Sequence, residues 1–406
     1  MSRRVVVTGL GVVSALGVGL DAHLAGLRAG RSGVAPMRNI DTEPLAIKIG
    51  AEASEFVGEE RFTRSQIALY DRVTQMALTA GAEAIESGGF LAEEPRDETR
   101  FGVVLGCSMG GMHTCDDNFA VLYREKKNRV HPFTVPRLMA NAPASHLSMA
   151  HGLRGPAWVV STACASSNHA IGQAFQMVRS GALDGALTGG CEAGLTFGVL
   201  KAWEGLRVMS KEACRPFSKT RSGMVQGEGA AVIAIETLER AEARGAAILC
   251  EIVGFGASAD AGDIVQPSQE GAAQAMRMAL SDGGLSHEEI GYINAHGTAT
   301  TANDRTETAA IRAVFGAHAD RLAVSSTKSM HGHCIGAAGA IEFAAVALAL
   351  RDGVLAPTIG YEAPDPECDL DVVPNMARTA RVEAALSNSF AFGGLNAVIA
   401  ARAFRA

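Results

Sequence analysis

Val160-Ser-Thr-Ala-Cys164 runs directly into residues 165–179, a stretch of small and apolar residues with the spacing of a buried helix. The segment therefore predicts a strand that passes through a short turn into a helix. Cys164 stands at this turn, where the helix dipole and the free backbone N–H groups favour an anion. Both should lower the pKa of a thiol below its usual value of about 8.5. The stretch predicts an α/β unit that carries a nucleophilic cysteine.

The same order of elements recurs along the chain, with short strands alternating with longer helices. Val7-Thr-Gly-Leu-Gly-Val12 is echoed by Ile252-Val-Gly-Phe-Gly-Ala257, and Val324-Ser-Ser-Thr-Lys328 leads through a turn into a second small-residue helix. No Pro/Ser-rich linker or charge run divides the chain. We therefore expect one α/β body with an internal duplication. The clearest helices, several of them apolar on more than one face and expected between sheets, are predicted over residues 65–87, 165–179, 271–280, 306–315 and 338–351.

Composition excludes several classes of function. The chain of 406 residues has 43 acidic and 36 basic side chains and a net charge of −7, the opposite of the basic surface that nucleic-acid binding requires. Charged residues make up 19%, below the usual share of about 25%, which predicts a large buried fraction and favours a subunit interface. The eight cysteines form no CxxC pair, and neither a signal peptide nor a membrane span is evident. We expect a soluble, cytoplasmic protein.

Two histidine motifs stand where predicted strands end. They are Asn294-Ala-His296-Gly-Thr-Ala-Thr300 and Ser326-Thr-Lys328-Ser-Met-His-Gly-His333. A glycine beside each histidine lets a substrate approach the backbone closely. His331 and His333 could be read as a metal pair, but no carboxylate or cysteine lies at a suitable spacing, so we expect no metal. His331 and the other remaining histidines are expected to be structural.

A third motif, Ser387-Asn-Ser-Phe-Ala-Phe392-Gly-Gly394, follows a strand close to the C-terminus. An apolar-glycine turn of this kind can present backbone N–H groups and can swing an aromatic side chain. By itself the motif would predict only a loop at the end of a strand.

Together, and in this order, these motifs resemble the β-ketoacyl-[acyl-carrier-protein] synthases, specifically the type II elongating condensing enzymes of fatty acid synthesis. The resemblance runs from Val5-Val-Val-Thr-Gly-Leu-Gly-Val12 to Phe390-Ala-Phe-Gly-Gly-Leu-Asn396. It implies an α/β protein of the thiolase fold. In that fold two pseudo-repeated halves, here residues 1–250 with the cysteine and 251–406 with the histidines, stack in five α-β-α-β-α layers. A homodimer is usual, and a heterodimer is compatible with it.

The resemblance implies an acyltransferase. Such an enzyme catalyses decarboxylative Claisen condensation of an acyl-enzyme thioester with malonyl-acyl-carrier protein. The chain grows by two carbons, in fatty acid or related polyketide or polyene synthesis, and no cofactor is needed. Cys164 matches the nucleophile that holds the acyl chain. His296 and His333 match the pair that assists decarboxylation and stabilises the enolate. Lys328 matches a supporting lysine, with Glu342 as its ion-pair partner.

Further matches concern substrate handling. Phe392 matches a gating aromatic, and its backbone N–H, with that of Cys164, matches the oxyanion hole. The remaining matches are Thr298 and Thr300 as contacts to the pantetheine arm, Met109 and Trp203 along an acyl tunnel, and Arg129 and Arg207 on the surface that docks the acyl carrier protein.

Three stretches depart from the family pattern. His331-Gly-His333 stands where Thr-Gly-His is usual, and Ala391-Phe-Gly-Gly-Leu395 where Gly-Phe-Gly-Gly-Thr is common. Asp260-Ala-Gly-Asp-Ile-Val-Gln-Pro-Ser268 replaces a loop that commonly has a threonine and paired prolines. Gating and substrate choice are left open by these changes. The helix around Ala68-Leu69 also lacks basic docking residues, which favours a specialised carrier protein and product.

Three other assignments compete with this hypothesis. A degradative thiolase uses a second cysteine near the C-terminal glycine turn, where this chain has Phe390-Ala-Phe392. Initiating synthases use Cys-His-Asn, whereas His333 takes the third place here. A non-catalytic or chain-length-determining partner subunit of a ketosynthase heterodimer would lack the nucleophile. Cys164 is present, but this last possibility stays the main alternative.

Overall fold

The main strands of the chain join in one mixed sheet in the computed structural model, which describes residues 2–92 and 95–405. The strands are β1 (Val5–Ser14), β2 (Phe101–Gly106), β3 (Ala157–Val160), β4 (Gly185–Glu192), β5 (Gly229–Thr237), β6 (Cys250–Ala259), β7 (Ile290–Asn294), β8 (Ala323–Ser325), β9 (Ala384–Ala391) and β10 (Leu395–Arg402). Two-residue strands add a pairing of Gly17–Val18 with β1 and two small ladders, Ala35–Pro36 with Ile49–Gly50 and Val354–Leu355 with Arg378–Thr379.

Strand order shows the internal duplication directly. The sheet runs β8-β7-β9-β10-β6-β1-β5-β4-β2-β3. Read outward from the centre, each group of five follows the order first, fifth, fourth, second, third. The directions match as well, because the second strand is parallel to the third and fourth, and the other pairs are antiparallel. The two echoed glycine motifs lie in the equivalent first strands, β1 and β6, which pair at the centre through Val5 and Ile252.

The helices are α1 (Leu20–Ala29), α2 (Arg64–Ile67), α3 (Arg72–Gly88), α4 (Met112–Tyr123), α5 (Thr134–Leu138), α6 (Ala142–His151), α7 (Ser166–Arg179), α8 (Phe197–Leu206), α9 (Leu238–Ala243), α10 (Gln269–Gly283), α11 (Thr301–Phe315), α12 (Lys328–His331) and α13 (Ala338–Asp352). Short 3₁₀ turns cover Gly58–Glu60, Glu98–Arg100, His287–Glu289, Gly316–Arg321 and Ile335–Ala337. No helix in these described ranges is both long and apolar enough to cross a membrane.

Two helices form the central layer of the molecule. α7 and α13 contact each other and the strands of both halves, whereas α3 covers the outer face of the first half and α10 with α11 covers that of the second. Small residues allow the close approach: at Gly172 in α7 a Cβ would collide with the ring of Phe255 in β6. The predicted α-β-α-β-α order is confirmed. Because α7 and α13 share the central layer, the turns that precede them both lie in the interior of the molecule.

The helix predicted over residues 65–87 is wrong as a single element. α2 ends at Ile67, and α3 begins after Asp71, whose carboxylate caps α3 by accepting from Val73 N at 3.1 Å. The same buried carboxylate accepts from Thr114 N at 2.7 Å and Thr114 Oγ1 at 2.6 Å. Because Thr114 lies 43 residues away in the chain, the local apolar pattern could not reveal this break.

Candidate functional site

Three side chains from separate motifs meet in the interior. One ligand atom each of Cys164, His296 and His333 lies within 4.8 Å of the other two, and all three residues are buried. The two imidazole rings stand 5.4 Å apart between centroids and nearly perpendicular, at 83°. Cys164 comes from the turn between β3 and α7, His296 from the end of β7, and His333 from the segment after α12. The fold thus brings together residues from both halves.

The turn that carries Cys164 is held rigidly. β3 ends at Val160, Ala165 is the N-cap of α7, and Ala163 adopts the left-handed conformation with φ +48°. Such a conformation is uncommon for a residue with a Cβ and needs support from its surroundings. Two hydroxyls provide it, since Ser108 Oγ and Ser166 Oγ donate to the Ala163 carbonyl at 2.9 and 2.6 Å.

Burial decides the protonation of Cys164. Removal of the thiol from water raises its pKa to about 12. The Lys328 charge and the backbone N–H groups of Phe392 and of Cys164 itself act to lower that pKa, but they do not outweigh burial. The sequence-based expectation of a lowered thiol pKa is therefore wrong. The two N–H groups nevertheless point at the sulfur, where an oxyanion hole is expected.

His296 is held by a carboxylate that the sequence analysis did not single out. Glu307 in α11 accepts from the backbone N–H of His296 through Oε1 and of Gly297 through Oε2, both at 2.8 Å. Asn388 Nδ2 also donates to Glu307 Oε1 at 3.2 Å. Gly297 has φ +37°, and a Cβ there would stand 2.5 Å from Ser326 Cβ. Glycine is therefore required at position 297. The two hydrogen bonds from the His296 and Gly297 backbone to Glu307 fix the orientation of the His296 residue.

Lys328 supports the same ring from the other side. Its ammonium forms an ion pair with Glu342, as predicted, and both side chains are fully buried. Lys328 Nζ also lies 3.4 Å from His296 Nδ1. Burial, then the Lys328 charge and His333, lower the pKa of His296 well below its usual range. Since the ammonium faces Nδ1, we assign the proton of the neutral ring to Nε2.

His333 has an equivalent arrangement. Its backbone N–H donates to Val225 O at 2.7 Å, and its carbonyl accepts from Gly227 N at 3.0 Å. The N–H of Ile335 donates to His333 Nδ1 at 3.3 Å, so we assign the proton of this ring to Nε2 as well. Burial is the first cause, and Lys328 the second, of a pKa well below the usual histidine range. The site thus contains two neutral imidazoles with N–H groups free to donate.

His331 takes no part in this cluster. Its Nε2 lies 3.0 Å from Thr327 Oγ1 and its Nδ1 lies 2.9 Å from Gly332 O. The His331–His333 pair therefore does not present two free nitrogens to one ion. Cys164, His296 and His333 are close enough to hold a zinc-sized ion, but the buried Lys328 ammonium beside His296 disfavours a second cation there.

A cavity of about 290 Å³ opens above the three residues. Trp203 and Phe392 line it and stack with ring centroids 5.9 Å apart. Thr298 and Thr300 also line it, with their hydroxyl oxygens 2.9 Å apart. Arg207, also predicted to handle substrate, borders the cavity. Two other predicted residues lie elsewhere: Arg129 is exposed outside the cavity, and Met109 is not part of its wall.

The glycine turn and the divergent loop 260–268 form one unit. Asp260 N donates to Gly394 O, and Gly393 N donates to Ile264 O, both at 2.9 Å. The Asp260 carboxylate accepts from Asn396 Nδ2 at 2.7 Å and from Ser268 N at 2.9 Å. Asp260 is a second residue that the sequence analysis did not assign. The Phe392 backbone is thereby linked to a loop 130 residues earlier.

Comparisons with known proteins agree on one family. Residues 2–241 match the family described as Beta-ketoacyl synthase, N-terminal domain, and residues 249–362 match Beta-ketoacyl synthase, C-terminal domain. Nodulation protein E of Rhizobium sp. (strain N33) is 45% identical over 402 residues, covering 99% of this chain and 100% of the relative. The 3-oxoacyl-[acyl-carrier-protein] synthase 2 of Staphylococcus aureus (strain COL) is 40% identical over 412 residues, covering 100% and 99%.

Solved structures give the same result. The ishigamide ketosynthase/chain length factor superposes with a TM-score of 0.95 at 36% identity, over 100% of both chains. A type II PKS ketosynthase, solved in complex with its acyl-carrier protein and bound to the hexaketide, superposes with a TM-score of 0.91 at 30% identity, also over 100% of both chains.

Proposed function

The chain belongs to the β-ketoacyl synthase family, and from this premise we propose that Cys164, His296 and His333 form its catalytic centre. It is an acyltransferase that catalyses the elongating condensation of an acyl-enzyme thioester with malonyl-acyl-carrier protein. The observation that carries the assignment is the convergence of one sulfur and two neutral imidazoles within 4.8 Å at the base of one cavity.

In the first step Cys164 takes up the acyl chain. Its sulfur attacks the thioester carbon of the acyl carrier, one C–S bond forms and the carrier's C–S bond breaks. The proton lost from Cys164 is balanced by the proton gained by the departing pantetheine thiol, so acyl transfer causes no net change in protonation. The backbone N–H groups of Cys164 and Phe392 stabilise the oxyanion of the tetrahedral intermediate.

In the second step the malonyl thioester loses carbon dioxide. The C–C bond breaks and its electron pair passes into an enolate, whose oxygen accepts hydrogen bonds from the Nε2–H groups of His296 and His333. The enolate carbon then attacks the acyl carbon on Cys164, a new C–C bond forms and the acyl C–S bond breaks. The released Cys164 thiolate takes up one proton from solvent. These two donors are already desolvated and aligned, so they stabilise the negative charge that develops on the enolate oxygen more than they stabilise the uncharged thioester carbonyl of the ground state.

Lys328 and Glu342 act as positioning residues. The Lys328 ammonium opposes any second positive charge on His296 and so keeps that ring a neutral donor. Glu342 compensates the buried ammonium. Thr298 and Thr300 are placed to bind the pantetheine arm along the cavity, with Trp203 and Phe392 at its aromatic wall. Met109, beyond the wall, would limit the depth available to the acyl chain.

An acyl carrier protein brings both substrates, and we place its docking surface at Arg207 and Arg129. Arg207 is exposed at the border of the cavity, where a carrier must deliver its pantetheine arm. The Arg207→Glu variant should raise the KM for malonyl-acyl-carrier protein about tenfold and leave turnover of malonyl-pantetheine unchanged. Arg381→Glu, at an exposed site remote from the cavity, is the matched control. Equal effects of the two variants would contradict this docking surface.

The assembly is proposed to be a homodimer formed across β3, the outermost strand of the sheet. β3 has an exposed edge, and Trp158 on it is half-exposed. Large apolar side chains are also exposed in residues 119–139, which precede β3 in the chain: Phe119, Tyr123, Phe133, Val135 and Met139. Patches of this kind mark protein interfaces. Trp158→Asp should shift the mass measured by light scattering to that of one chain; a complex stable only with a second, different chain would favour a heterodimer.

A cytosolic location and two halves at 1–250 and 251–406 stay predictions.

One experiment tests the function as a whole. The purified protein is incubated with acyl-carrier proteins loaded with chains of different length and with malonyl-acyl-carrier protein, and intact-protein mass spectrometry follows both partners. We expect an acyl group on Cys164 and a 3-oxoacyl product two carbons longer, both absent in Cys164→Ala. A chain-length-determining subunit would show neither; the presence of Cys164 argues against that role.

A further inference from the structure

Gln226 is a buried amide that the catalytic scheme does not use. Its side chain has no solvent exposure, and neither Nε2 nor Oε1 has a hydrogen-bond partner among the described residues. An unpaired amide in the interior is costly, because the group gives up its hydrogen bonds to water without replacement. Such a group needs an explanation.

The backbone places Gln226 next to the catalytic centre. Gln226 pairs with His333 across an isolated parallel bridge, and its carbonyl accepts from Ala51 N at 2.9 Å. Met224, two residues earlier in this extended segment, lines the cavity together with Cys164. Alternate residues of an extended segment face the same side, so Gln226 faces the same side of this segment as Met224, although Gln226 does not itself line the cavity. Val225 faces away and packs with Cys214 and Ala299.

Space beside the amide is kept free by a glycine. A Cβ at Gly194 would lie 3.1 Å from Gln226 Nε2 and 2.6 Å from Met109 Cε. Because Gly194 has no side chain, the Gln226 amide and the Met109 side chain can both pack against its backbone. Met109 is unbranched and adapts its shape readily, so it can turn aside for an incoming chain. Val199 is also close, with its Cγ1 3.6 Å from the position that a Cβ at Gly194 would take.

We propose that Gln226 is a specificity-determining residue that hydrogen-bonds an oxygen atom, keto or hydroxyl, on the acyl chain held by Cys164. The proposal rests on the condensing function proposed above. It assigns the enzyme to acyl substrates that carry oxygen, in preference to saturated chains of the same length. A site with a buried unpaired polar group rejects a substrate that leaves it unpaired. One neutral hydrogen bond of this kind corresponds to about a tenfold to hundredfold preference.

The test compares acyl-carrier proteins loaded with saturated chains and with chains of equal length bearing one keto or one hydroxyl oxygen at successive positions. The wild-type enzyme should show the largest kcat/KM for one oxygen position, at least tenfold above the saturated chain. Gln226→Leu should remove that preference and keep or raise activity on the saturated chain. The keto and hydroxyl arms show whether the amide donates or accepts.

Controls separate the possible failures. Thr74→Val removes a different buried polar group without a partner, the hydroxyl of Thr74 on α3 in the outer layer. This variant should leave the preference for oxygen-bearing chains unchanged. Gln226→Met serves if the leucine variant does not fold. Condensation of saturated chains without any preference for oxygen would overturn the role of Gln226, leave the proposed function standing, and indicate a bound water on the amide. Absence of condensation with every chain would overturn the proposed function itself.

Discussion

The reactivity of Cys164 is the sharpest test of how the fold controls the site. A pKa of about 12 leaves roughly one thiol in 10,000 ionised at pH 8, four pH units lower. A free cysteine with a pKa of about 8.5 would be about one quarter ionised at that pH. Because the thiolate is the species that iodoacetamide alkylates, Cys164 should react about three orders of magnitude more slowly than an ordinary exposed thiol.

The assay measures alkylation rates by peptide mass spectrometry at intervals from pH 7 to pH 10. The logarithm of the rate for Cys164 should rise with a slope of one per pH unit and reach no plateau in this range. Cys115, which is half-buried, serves as the internal comparison. Lys328→Met should slow the reaction at every pH, because the Lys328 charge favours the thiolate. A plateau with a midpoint below pH 8.5 would refute the reasoning and restore the helix-dipole explanation.

Three further predictions concern the groups around the sulfur. His296→Ala should still accept an acyl group on Cys164 but lose malonyl decarboxylation by about 100-fold or more, as followed by release of labelled carbon dioxide; decarboxylation at the wild-type rate would contradict its role. The rate of decarboxylation should stay level from pH 8 to pH 6, because both histidine pKa values lie well below the usual value of about 6.5, and histidines charge only as pH falls through their pKa. A loss of half the rate near pH 6.5 would show protonation of an ordinary imidazole. Lys328→Met should lower the free energy of unfolding by about 3–5 kcal/mol, because Glu342 is left buried without its partner. Adding Glu342→Gln should recover part of this loss in denaturant titrations, and strictly additive losses would argue against the ion pair.

Local sequence predicted much of this protein because its chemistry stands in short motifs. Strand–turn–helix patterns placed Cys164, His296, His333 and Lys328 at the ends of strands, and the paired glycine motifs in β1 and β6 indicated the duplication. Apolar periodicity also predicted four of the longer helices, α7, α10, α11 and α13. Motif order and the resemblance built on it then identified the Lys328–Glu342 pair. These features depend on neighbouring residues, or on a pattern repeated along the chain, and both can be read without coordinates.

Contacts between distant segments decided the remainder. Asp71 caps the start of a separate helix, and Thr114 donates to its second oxygen. Glu307 and Gln226 acquire their roles only where α11 and the segment before β5 reach the histidines. The protonation of Cys164 is the clearest case: its helix-start context favours a thiolate, yet burial raises its pKa to about 12. Desolvation depends on every segment packed around a group, so only the tertiary structure could determine it.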